Sequence, residues 1–184
     1  MRSRDGTAAI EFAILAIPYF LIVFAIIETF VAYSAEQLLT NATNNLARQI
    51  RTGEITYKLG RDTDKDKTEF RQLLCNDIAV MITCSKTEAA NESDLYVDVQ
   101  TYTDYNDVPT SIPRVSAADY ADIDPTKFKY SPGGPKTVNM VRAFYRWHVM
   151  TDLVRPYITN IRPADGSSVF LIVATTTFKN EDYP

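Results

Sequence analysis

The sequence predicts an α+β protein: a long N-terminal transmembrane helix, a second amphipathic helix, and an antiparallel β-sheet of three or more strands. Three observations carry this expectation. An uncharged apolar run extends from Phe12 to Ile27. Beyond it, Ala35, Leu39, Ala42, Leu46 and Ile50 recur at spacings of three and four, the stripe of a continuing helix. Further on, three segments rich in Val, Ile, Thr and aromatic residues carry strand patterning.

Phe12 to Ala32 is long enough to cross a hydrocarbon core of ~30 Å at ~1.5 Å per residue. A cleavable secretory signal is the rival reading, with a small-residue site at Val31 to Ala35. Its apolar region is usually only ~7–15 residues, and helical patterning here continues past Ser34, which favours a retained anchor. Arg2 and Arg4 precede the span and favour a cytoplasmic N-terminus. The helix is expected to tolerate Pro18 and to end near Gly53, with Arg48 and Arg51 in its last turn, where the dipole favours cations.

Tyr57 to Thr68 reads as a polar connector. Phe70, Leu73, Leu74, Ile78, Met81 and Ile82 predict the second helix over about 66–82. Cys75 and Cys84 are a candidate disulfide, suited to an oxidising compartment. An unbroken helix would hold their Cα atoms ~13 Å apart, beyond the ~7 Å a bridge tolerates, so pairing requires the chain to leave the helix near Met81 or earlier.

In the first strand Leu95, Val97, Val99 and Thr101 alternate with Tyr96, Asp98, Gln100 and Tyr102, one buried face and one wetter face. Residues 141–149 repeat the pattern, with Arg142, Phe144, Arg146 and His148 on the more polar side. Val169 to Thr177 is apolar or threonine on both faces and is placed centrally in the sheet. A proline-rich loop of about 104–136 is either functional or mobile.

Composition narrows the function classes. With 46% hydrophobic and 23% charged residues the chain is not disordered, and a net charge of −4 argues against nucleic acid as the main partner. Two thiols and one distant His148 make a poor zinc site, so no metal or cofactor is expected. His148 has no nucleophile motif beside it, so no catalytic residue is assigned. Tyr130 to Pro135 lacks the lysine of a phosphate loop and reads as a turn. Tyr102, Tyr105, Tyr120 and Tyr130 suit either a protein contact surface or half-buried packing. Glu11, a lone carboxylate at the start of the span, costs a few kcal/mol on insertion scales and therefore calls for a partner. Glu28, near the outer leaflet, is either solvated at the interface or in contact with another subunit's helix.

Gly6 to Phe12 resembles the G-x-x-x-x-E-[FY] processing site of type IV-type prepilins. The longer stretch from Arg4 to Ala13, then Pro18, then Leu46 to Gly53, resembles the TadE-like family, minor pseudopilins of the tight-adherence (Tad/Flp) pilus. Leu95 to Gln100, Tyr130 to Gly133, Arg142 to Trp147 and Ala174 to Tyr183 are similar in order to that family. The resemblance implies a pilin-like fold and a structural role in assembling an adhesive pilus. Residues 1–6 would be a leader removed by a prepilin peptidase between Gly6 and Thr7, residues 7–53 the long helix with a single span at about 12–32, and residues 54–184 an extracytoplasmic α+β domain anchored in the bacterial inner membrane. The α-amine released on Thr7 would neutralise Glu11 within lipid. Expected partners are the peptidase, other minor pseudopilins and the pilus platform. Two other classes remain open: an unprocessed bitopic binding or sensing protein, and a secreted enzyme with a mature N-terminus near Ser34 to Glu36.

Overall fold

A computed structural model describes residues 5–84, 86–151 and 155–184; Arg2 and Arg4 lie outside them. Helix α1 runs from Asp5–Thr52 through Pro18 without a break, about 72 Å at ~1.5 Å per residue. Its inner half is bare. Phe12, Leu15, Ile17, Tyr19 and Phe20 are exposed, and only from Ala32 onward does one stripe close, with Ala35, Leu39, Ala42, Leu46, Ala47 and Ile50 buried. The helix stops at Gly53, whose φ of +80° suits a residue without Cβ. A Cβ there would come within 2.6 Å of the Tyr183 ring, because the C-terminal tail crosses the helix end. Glu181 N donates to Arg51 O at 2.9 Å.

Helix α2 (Lys67–Ile78) opens on a reciprocal cap: Asp66 accepts from Glu69 N and Glu69 accepts from Asp66 N. It ends earlier than the periodicity implies. The backbone turns after Ile78, carrying Ile82 into the core and leaving Val80 and Met81 exposed. A short α3 (Lys86–Ala90) follows. The junction is held by the buried Arg71, whose guanidinium donates to Ala89 O and Leu95 O, both at 2.7 Å, and to Glu88 at 3.3 Å.

The sheet comprises β1 (Leu95–Tyr102), β2 (Tyr130–Ser131), β3 (Val138–His148) and β4 (Val169–Lys179), in the order β2-β1-β3-β4. Strands β1, β3 and β4 pair antiparallel, whereas the two-residue β2 joins β1 in parallel, so the sheet is mixed rather than antiparallel throughout. The architecture is α+β, as the patterning predicts.

Two expectations are corrected. Strand β4 lies at the edge, and β1 and β3 are central. Its apolar character reflects cover above and below: Ile172 and Ala174 join the α1 core, while Val169 and Leu171 enter a second cluster. The face of β1 and β3 read as wetter is also buried. Tyr96, Phe144, Val169 and Leu171 pack there with Ile123, Phe128 and Ile161, and Phe128 stacks on Phe144 with centroids 4.7 Å apart. The loop between β1 and β2 covers this face. Buried Arg142 donates to Ser111 O at 2.9 Å and to Pro109 O, and Asp98 accepts from Lys129 N at 3.0 Å. Polar side chains under this cover hold its backbone carbonyls and amides instead of meeting water.

Candidate functional site

Gly6 and Thr7 lie in the first turn of α1, and Glu11 is one turn further on. The Thr7 nitrogen and Glu11 are an i,i+4 pair, so a charge on one lies on the helix face of the other. Glu11 is exposed between Ile10 and Phe12, themselves 62% and 71% exposed, and among the described residues it has no hydrogen-bond or ionic partner. A carboxylate set in a bare apolar belt is an unsatisfied group as soon as lipid surrounds it.

Two hydroxyls in the outer part of the belt are dealt with locally. Thr29 donates to Ala25 O at 2.9 Å and Ser34 to Phe30 O at 2.8 Å, so neither needs water. Glu28 has partners within its own chain. Its carboxylate accepts from Met150 N at 2.5 Å and from Thr151 N at 3.1 and 3.2 Å, just past the end of β3. This contact spans more than a hundred residues of sequence and has no local signal.

Cys75 and Cys84 are bonded, with Cα atoms 5.2 Å apart, because α2 ends at Ile78 and the chain doubles back. Cys75 is buried beside Phe70 and Leu74. Among the described residues, no group of three or more His, Cys, Asp or Glu is placed to hold a metal. His148 sits at the exposed end of β3, its Nε2 3.0 Å from Asp94. Tyr130 to Pro135 is a strand and turn packed for fit: a Cβ on Gly133 would meet Thr137 Oγ1 at 2.3 Å. Tyr105 and Tyr120 are exposed, whereas Tyr130 packs on Tyr57 and Phe70, and burial raises its hydroxyl pKa well above the usual range.

The site is therefore a helix with a bare first half, in which, among the described residues, Glu11 has no partner and Glu28 is partnered near the point where packing begins. Residues 6–48 match the family of TadE-like protein. The match starts on Gly6 and ends within α1, so it covers Glu11, Glu28 and most of the buried stripe. It points to a role connected with the Tad pilus, in a family that is generally structural rather than enzymatic. The bare apolar helix is consistent with a membrane anchor. Neither a curated protein nor a solved structure matches the chain.

Proposed function

We propose that the protein is a minor pseudopilin that takes part in assembling a Tad/Flp-type pilus for adhesion. The observation that carries this reading is the placement of Gly6 and Glu11 at the head of one uninterrupted helix, within the TadE-like match. A prepilin peptidase removes residues 1–6 on the cytoplasmic side. The released Thr7 amine is cationic at neutral pH and pairs with Glu11 of its own or a neighbouring chain. Separating such a pair in lipid costs about 3–5 kcal/mol, enough to set the register of helices packed side by side. The globular part stays outside the inner membrane and meets other minor pseudopilins and the platform. The Cys75–Cys84 pair forms in that oxidising compartment.

The test is the mass of the mature N-terminus in the native host, with and without the candidate peptidase. A peptidase-dependent start at Thr7 is expected. A start at Met1 would leave an unprocessed bitopic protein, and a start near Ala35 a secreted one. In a host that processes the chain, Glu11→Ala should be cut normally yet fail to support piliation; normal piliation would remove the role of the carboxylate.

A further inference from the structure

Two backbone bonds fix how the globular part lies along α1. At the far end, Glu181 N donates to Arg51 O; at the near end, Met150 N donates to Glu28. The stretch of α1 from residue 28 to 51 is about 35 Å long at ~1.5 Å per residue. The 11-residue β3 is about 36 Å at ~3.3 Å per residue. Strand β3 therefore runs the length of the packed half of α1 and delivers its C-terminal end to the level of Glu28.

That level is also where the lipid should end. A hydrocarbon core of ~30 Å takes up ~20 helical residues, so a span entered between Ile10 and Phe12 is left between about residues 29 and 31. Among the described residues beyond Gly53, Met150 and Tyr157 are the most exposed large hydrophobic ones, each 87% exposed, and both follow β3. Tyr157 belongs to the short α4 (Arg155–Ile158) and lines a groove with Thr29, Ala32, Tyr33 and Phe170. Tyr33 of α1 is itself 58% exposed. A thioether and two phenols thus ring the helix where it leaves the bilayer, the position at which amphipathic aromatics are favoured.

We propose that this face is a membrane-interface contact: Met150 and Tyr157 enter the headgroup–acyl boundary of the phospholipid leaflet from which α1 emerges. Glu28 then lies at the same boundary, its charge shielded from lipid by the amides of Met150 and Thr151. The globular part is seated on the bilayer rather than suspended above it. This inference rests on α1 being a membrane span and is independent of the pilus assignment.

The test uses the full chain in vesicles of phosphatidylethanolamine and phosphatidylglycerol carrying doxyl-labelled lipid. Trp147→Phe removes the single native tryptophan. Tryptophan is then placed singly through Met150→Trp, Tyr157→Trp, Phe20→Trp in the span, and Tyr105→Trp just after β1. Shallow doxyl groups should quench the probes at 150 and 157 at least about twofold more than the probe at 105, and deep doxyl groups should quench the probe at 20. Probes at 150 and 157 that behave like the one at 105, with the probe at 20 quenched, would overturn the contact while leaving the span. An unquenched probe at 20 would remove the span and the contact together. As a check that keeps Trp147, a benzophenone amino acid at position 157 should form lipid adducts detectable by mass, and none if the proposal fails.

Discussion

Arg71→Met tests the core against its most unusual member. The side chain is 2% exposed, yet it carries a full charge between α2, α3 and β1. Methionine matches the aliphatic stem, stops two bonds short of the terminal nitrogens and has no donors. The variant leaves Ala89 O and Leu95 O without the guanidinium that holds each at 2.7 Å, and it removes the cation 3.3 Å from Glu88, while Glu92 keeps Lys67 at 2.5 Å. An unsatisfied buried carbonyl costs ~1–3 kcal/mol, and removing one side of a buried pair ~3–5 kcal/mol. The two estimates describe the same loss, so the expected destabilisation is about 3–5 kcal/mol, a large share of a typical total of ~5–15 kcal/mol. The assay is urea unfolding in mild detergent, followed by Trp147 fluorescence. Arg48→Met is the control, since Arg48 and Glu54 are 3.5 Å apart and each 55% exposed; it should cost under ~1 kcal/mol. Equal losses in the two variants would refute the reasoning, as would a loss below ~1 kcal/mol for Arg71→Met.

Three further outcomes are expected. Glu88 is pushed up by burial, but bonds from the Ser93 hydroxyl and the amides of Leu95, Ser93 and Asp94 outweigh this and hold its pKa below the ordinary 4.5. Its contribution is complete above that value and is lost as pH falls through the lowered one, so Glu88→Gln should flatten the acid limb of a stability–pH curve without changing its shape near neutrality. Reduction, or Cys75→Ser with Cys84→Ser, should lower stability by about 2–3 kcal/mol on the chain-entropy view of a ten-residue loop; intact mass in the absence of reductant should be lighter by two hydrogen atoms than in its presence. Gly53→Ala should cost ~1–2 kcal/mol for its left-handed backbone plus an overpacking cost against Tyr183. The overpacking part alone should disappear in a Tyr183→Ala background, read by the same unfolding assay.

What was legible in the sequence was what repeats locally. The stripe from Ala35 to Ile50 and the stop at Gly53 are set by residues within a turn of one another, and the structure has both. The cap formed by Asp66 and Glu69 is equally local, a D-x-x-E ahead of an apolar run, but the expectation for α2 rested on apolar spacing and left this signal unused. The end of α2 was hidden from apolar spacing, because Met81 and Ile82 continue it after the backbone has turned away at Ile78; only the pairing of Cys75 with Cys84 demanded an exit near Met81 or earlier. The edge position of β4 was hidden for a related reason: apolar residues on both faces report cover, and a strand can be covered on both faces with a neighbour on only one side. At the candidate site, Gly6 and Glu11 stand out by spacing and by the oddity of an acid in an apolar run. The bonds from Met150 and Thr151 to Glu28 depend on where β3 ends in space, which no local pattern encodes.

The packing of α1 also sets an order of events during synthesis. The stripe from Ala35 to Ile50 is made early, and α2 soon after it, but the sheet side of its cover comes from Val97, Val141, Tyr145, Ile172 and Ala174, far later in the chain. At ~5–20 residues per second, the interval between Leu46 and Ala174 is on the order of ten seconds. Throughout that time only α2, through Phe70, Leu74 and Ile78, is available to cover part of the apolar ridge of α1. Folding that begins before β4 arrives can build the β1–β3 pair but cannot close the core.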